Sequence, residues 1–117
     1  MRLAHLALPV RDQERSRRFY ATYFGFGAGP AQRYDDGVLI IRNADGFDLA
    51  LAASPDPGPL PSFLHFGFRV DGPARVRELL ARVSADGVQV VEEVEEPGLV
   101  SFKCVDPDGY VVEVYWE

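Results

Sequence analysis

The sequence has few of the residues and segments that direct a chain to nucleic acid, to a membrane or to a disulfide-bonded fold. Its single cysteine, Cys104, cannot form an intrachain disulfide. The chain carries 12 basic and 18 acidic residues, a formal charge of -6, and such an acidic chain repels phosphate groups. No apolar run approaches the ~20 residues that span a bilayer. These absences predict a cytoplasmic protein that binds neither nucleic acid nor membrane.

The chain has only two histidines, and they lie in segments with the same pattern of apolar and polar residues. His5 is in HLALPV and His65 is in HFGFRV, and a helical pattern follows each segment. Asp12 is the expected N-cap of the first helix, and Gly72-Pro73 opens the second. About three strands follow each helix, so each half of the chain reads as β, α and then three strands. The sequence therefore predicts an internal repeat of two βαβββ modules.

The segment between the two patterns is rich in proline. SPDPGPLPS, residues 54–62, has four prolines in nine residues, which forbid a helix and favour a semi-rigid extended linker. We therefore predict a first module over residues 1–53, a linker over 54–62 and a second module over 63–117, together forming one structural domain. This linker permits the modules to pair within one chain or across two chains.

Alternation along the strands separates a bulky apolar face from a face with one potential ligand. On the second face small residues stand beside the polar ones, as Gly67 does beside His65, and they leave room above the sheet. The same division occurs in four strands, and the polar residues that it selects are His5, Asp48, His65 and Glu113.

Two imidazoles and two carboxylates suit a divalent first-row metal with open positions for water or substrate. Two carboxylates brought together without a cation would oppose each other's ionisation. If the halves combine into one curved sheet, we expect the four side chains to converge on a metal. The alternative is a polar pocket without metal.

Three segments carry a resemblance to a known family, and together they cover nearly the whole chain: HLALPVRDQERSRRFYATYFGF, LHFGFRV and VDPDGYVVEVYWE. They resemble the vicinal oxygen chelate superfamily of glyoxalases, bleomycin resistance proteins and dioxygenases. The resemblance implies an α+β fold in which two βαβββ modules form an open, cup-shaped mixed sheet with helices on the outer face. It also implies a homodimer.

The resemblance further implies a ligand set for Ni, Co, Zn, Mn or Fe. His5, His65 and Glu113 match ligands of the family, and Asp48 stands where relatives have glutamate or glutamine. Pro9 and Ala52 replace residues of the glutathione-dependent glyoxalases, which argues against that activity. No third histidine is left to act as the acid-base residue of a ring-cleaving dioxygenase.

These expectations favour an enzyme. The leading hypothesis is a metal-dependent lyase or isomerase whose small substrate chelates the metal through two vicinal oxygens and passes through an enolate-like intermediate. Glu113 would move the proton, and Tyr115 and Arg69 would contact the substrate. The alternative is a non-catalytic protein of the bleomycin resistance type that binds a small hydrophobic or antibiotic-like molecule.

Overall fold

A computed structural model describes all 117 residues and divides the chain into two compact units, Met1–Pro59 and Leu60–Glu117. The first unit contains β1 (His5–Val10), α1 (Gln13–Phe24), β2 (Gln32–Arg33), β3 (Leu39–Arg42) and β4 (Asp48–Ala53). The second contains β5 (His65–Arg69), α2 (Pro73–Ala85), β6 (Val90–Glu96), β7 (Leu99–Val105) and β8 (Val111–Trp116). Neither helix is long and apolar enough to cross a membrane.

Local sequence signals fix the ends of the helices. The Asp12 carboxylate accepts a hydrogen bond from the Arg15 backbone N–H at 3.0 Å and so caps the N-terminus of α1. That helix ends at Gly25, whose φ of 77° is a left-handed conformation that glycine adopts without a steric penalty. In α2, Pro73 is the first residue, where its missing N–H costs no hydrogen bond.

The two units have sheets of the same topology. In the first the strand order is β1-β4-β3-β2, and in the second it is β5-β8-β7-β6. The N-terminal strand of each unit runs parallel to its last strand, and the other neighbours are antiparallel. The predicted α+β fold with two βαβββ modules is therefore confirmed. The bounds predicted for the proline-rich linker stay a prediction.

Burial follows the predicted alternation in the last strand of each unit. Leu49 and Leu51 of β4 are fully buried, as are Val112 and Val114 of β8, while the residues between them are half-buried. α1 packs on β4, and α2 packs on β7 and β8. Each sheet therefore has a helix-covered apolar face and an opposite face that carries the predicted polar residues.

Burial is less complete at β5, an edge strand of its sheet. Leu64, just before it, is 50% exposed, and Phe66, Phe68 and Val70 are half-buried.

Candidate functional site

In the second unit, two of the predicted ligands face each other. His65 is on β5 and Glu113 is on the neighbouring β8. The Nε2 atom of His65 lies 3.6 Å from the Oε2 atom of Glu113, and their side chains are 23% and 22% exposed. The pair is thus shielded from bulk water yet still open on one side.

A backbone carbonyl orients the His65 ring. Nδ1 lies 2.8 Å from the carbonyl oxygen of Phe63, which can only accept a hydrogen bond, so Nδ1 carries the proton. In the neutral ring the other nitrogen, Nε2, then presents a lone pair to a carboxylate. Two electron-rich groups at this separation could both contact a cation placed between them. Metal-binding histidines are commonly held in this way, with the distal N–H donated to a carbonyl or carboxylate.

The spacing and chemistry of the pair fit a divalent first-row ion. Two atoms bound at ~2.1 Å to the same tetrahedral ion are ~3.4 Å apart. The observed 3.6 Å needs only a small adjustment to reach that separation. One imidazole nitrogen and one carboxylate oxygen are donors that Zn, Ni, Co, Mn and Fe accept. The His65–Glu113 pair therefore fits the metal that the sequence predicts.

The Tyr115 ring fills the space that the missing side chain of Gly67 leaves beside this pair. A Cβ atom at Gly67 would lie 3.3 Å from Cε1 of Tyr115 and 3.4 Å from Cβ of Glu113. The Tyr115 ring therefore occupies space that a larger residue at position 67 would take. The structure places Tyr115 next to the pair, two residues along β8 from Glu113.

The other two predicted ligands lie side by side in the first unit. His5 of β1 and Asp48 of β4 are register partners on adjacent parallel strands. Both carboxylate oxygens of Asp48 accept hydrogen bonds from Arg42, from Nε at 2.6 Å and from Nη2 at 2.8 Å. These bonds lower the pKa of Asp48, and the charges of Arg42 and His5 lower it further.

Arg42 was not predicted as a partner of Asp48. The sequence does contain a sign of this contact, because a turn over residues 43–46 makes Arg42 and Asp48 cross-strand neighbours. The Arg42 side chain is 66% exposed, and water screens an ion pair of that kind, so the pair holds Asp48 only weakly.

Neither unit by itself groups three or more histidine, cysteine, aspartate or glutamate side chains in a way that could hold a metal ion. Each supplies two of the four predicted ligands, and the complete set stays a prediction. Arg69 donates a hydrogen bond from Nη2 to the backbone oxygen of Glu117 at 2.6 Å. With Val70, Asp71 and Trp116 it lines a different surface pocket from the one beside His65.

Comparison with known proteins agrees with this architecture. An uncharacterised protein of Pseudomonas aeruginosa, PA2024, is 32% identical over 120 residues, which is 95% of this chain and 85% of the relative. The structure of a possible glyoxalase from Bacillus cereus superimposes with a TM-score of 0.80 at 28% identity and covers 97% of both chains. TnmS3, an antibiotic-binding protein from Streptomyces sp. CB03234, superimposes with a TM-score of 0.74 at 26% identity, over 97% of this chain and 93% of TnmS3.

A family model matches nearly the whole chain. Residues 2–114 match the model of the Glyoxalase/Bleomycin resistance protein/Dioxygenase superfamily. This match spans both βαβββ modules and includes all four predicted ligands. The chain therefore belongs to the glyoxalase/bleomycin resistance protein/dioxygenase superfamily.

Proposed function

We propose that this protein is a metal-dependent enzyme of the glyoxalase type, a lyase or isomerase acting on a small substrate with two vicinal oxygen atoms. The observation that carries the proposal is the orientation of His65, whose Nε2 faces the Glu113 carboxylate while Nδ1 is held by a backbone carbonyl. A neutral histidine in that position has its lone pair directed at a site where a cation would be stabilised.

The residues of the pair have distinct roles in this proposal. His65 would hold the metal through Nε2, and its hydrogen bond to the Phe63 carbonyl keeps the ring in that orientation. Glu113 would help to hold the metal with its carboxylate, which can also receive a proton from a carbon next to a substrate carbonyl. The electron pair of the broken C–H bond moves toward the carbonyl oxygen. A bound divalent ion would supply the positive charge that stabilises that oxygen.

Metal binding tests the proposal directly. Elemental analysis of the purified protein, followed by titration with Ni, Co, Zn, Mn and Fe, should find one tightly bound ion per site. His65→Ala and Glu113→Gln should each weaken binding at least tenfold. Glu93→Gln is the matched control, because Glu93 lies on the same sheet but pairs in register with the buried Phe102, on the helix-covered side. A protein that binds none of these ions would refute the proposal.

The second candidate function is binding without chemistry. Arg42 already neutralises Asp48, so one predicted ligand has a partner in the absence of metal. The likeness to an antibiotic-binding protein at 26% identity supports the same alternative. A binding protein would retain a small hydrophobic ligand in the presence of a chelator and after His65→Ala. An enzyme would lose turnover under both conditions.

A further inference from the structure

We propose that the cavity beside His65 binds a small anionic molecule with an apolar body, and that Lys103 selects its carboxylate or phosphonate group. The identification of this molecule as the substrate rests on the proposed function, whereas its binding does not. All residues around the cavity belong to the second unit.

The cavity has a volume of about 300 Å³. This is the liquid volume of about ten water molecules and lies at the lower end of the range for ligand pockets. Its walls are the segment 60–64, which precedes β5, and part of the sheet face. Leu60, Pro61 and Val111 make part of the lining apolar, while His65 and Lys103 provide the polar groups. A ligand that fits is therefore small, with one polar end and an apolar remainder.

Lys103 is suited to bind an oxyanion at this wall. It is the only lysine of the chain, and its side chain is only 15% exposed. Lys103 is the register partner of Glu113 and therefore lies on the same sheet face as the His65–Glu113 pair. Its ammonium contacts one oxygen of Glu92 at 2.6 Å. Since an ammonium has three N–H donors, this contact leaves donors for a ligand.

The Phe63 ring lies beside the Lys103 ammonium in the wall of the cavity. Its ring centroid is 5.6 Å from Nζ of Lys103 and 5.0 Å from the His65 ring, which it meets edge to face. Phe63 is the only residue other than glycine with a positive φ, 68°, a conformation that is unfavourable for a bulky side chain. Such backbone strain concentrates at ligand-binding sites, where neighbouring contacts maintain it.

In this conformation the Phe63 carbonyl accepts a hydrogen bond from His65, and the phenyl ring is 86% exposed at the cavity. An apolar or flat ligand body would cover that ring and recover hydrophobic energy. Covering the ring would also remove water from the ammonium, and a charge-assisted bond to an oxyanion is stronger in a less polar environment. The exposed phenyl ring and the ammonium together favour an anion with an apolar body over a purely apolar molecule or a simple anion.

Binding to the chelator-treated protein tests this assignment without metal. Benzoate and phenylphosphonate are the probes, and benzamide is their neutral counterpart. We expect one or both anions to bind at least tenfold more tightly than benzamide, equivalent to ~1.4 kcal/mol. Lys103→Met should remove that advantage and leave benzamide binding unchanged. Glu92→Gln frees the ammonium from its partner and should tighten anion binding. The tighter anion identifies the preferred oxyanion.

The single lysine allows an independent measurement. Acetylation by acetic anhydride modifies Lys103 and the exposed amino group of Met1, and peptide mass spectrometry measures both. The bound anion should slow acetylation of Lys103 but not of Met1. Equal binding of benzoate, phenylphosphonate and benzamide, or equal protection of both amines, would overturn the inference. A protein that binds metal but shows no anion preference would retain the proposed function and lose only this assignment.

Discussion

The stability of the protein at alkaline pH should depend on Cys104. This residue lies on β7 and is fully buried, and burial raises the pKa of its thiol from 9.0 to about 11, with the Asp106 carboxylate adding to the rise. The folded state therefore keeps the thiol protonated in a pH range in which the unfolded chain ionises it. Ionisation stabilises only the unfolded state, so the free energy of unfolding should fall as pH rises from about 9 to about 11.

The magnitude follows from the two pKa values. At ~1.4 kcal/mol per pKa unit, the full loss is ~2.7 kcal/mol, and about half of it is reached at pH ~10. Below the ordinary thiol pKa both states are protonated and the effect vanishes. Other groups that titrate in this range, such as tyrosine hydroxyls, also change the stability, so the Cys104 contribution must be taken as a difference between two proteins.

Urea denaturation of the wild type and of Cys104→Ala at several pH values isolates that difference. The substitution itself should cost a roughly constant ~1–2 kcal/mol near neutral pH, because it leaves a small cavity. The wild-type advantage should then shrink, and reverse, as pH rises through the interval. If the two stability curves stay parallel up to pH 11, the burial of this thiol does not control its ionisation and the reasoning is refuted.

Three further substitutions probe the site and the turn beside it. Arg42→Met should raise the affinity for divalent ions several-fold in a metal titration, because Asp48 loses a competing partner; unchanged affinity would mean that Asp48 is not a ligand. Gly67→Ala should change thermal stability by less than ~1 kcal/mol, because the Tyr115 ring must shift by only a few tenths of an ångström while the unfolded chain loses entropy. A larger loss in a thermal melt would show that the ring is fixed. Asp106→Ala should cost ~2–3 kcal/mol in urea denaturation, since its buried carboxylate accepts two backbone hydrogen bonds in the following turn; a loss below ~1 kcal/mol would contradict this.

Much of the architecture could be predicted from the sequence because it depends on periodicity. The alternation in DLALAA and VVEVYW assigns each residue to a face without knowledge of the strand's neighbours, and the structure buries the predicted side of both strands. The N-cap at Asp12 is likewise a local property of the chain. The order of the strands in each sheet is not a local property, and alternation alone does not reveal which strand lies at an edge.

The partners of the polar residues were harder to predict, because they depend on register and on backbone conformation. Arg42 is six residues from Asp48 in sequence, and only the register of the intervening hairpin brings the guanidinium to both carboxylate oxygens. The contact of Phe63 with His65 requires a left-handed backbone at a phenylalanine, which no sequence pattern predicts. Strand alternation determines the sheet face on which a polar side chain lies. Contacts such as these determine the orientation and charge environment of that side chain.

The symmetry of the two modules in sequence does not extend to their electrostatics. His5 and His65 occupy equivalent strands, yet His5 is exposed while His65 is shielded and oriented by a carbonyl. The ion pairs of their acidic neighbours also differ. Arg42 neutralises Asp48, whereas Glu113 has only His65 as an ion-pair partner. An internal repeat thus places equivalent side chains on equivalent strands. Their exposure, orientation and ion-pair partners can still differ between the two copies. The proposal of a metal site therefore rests more on the second module than on the first.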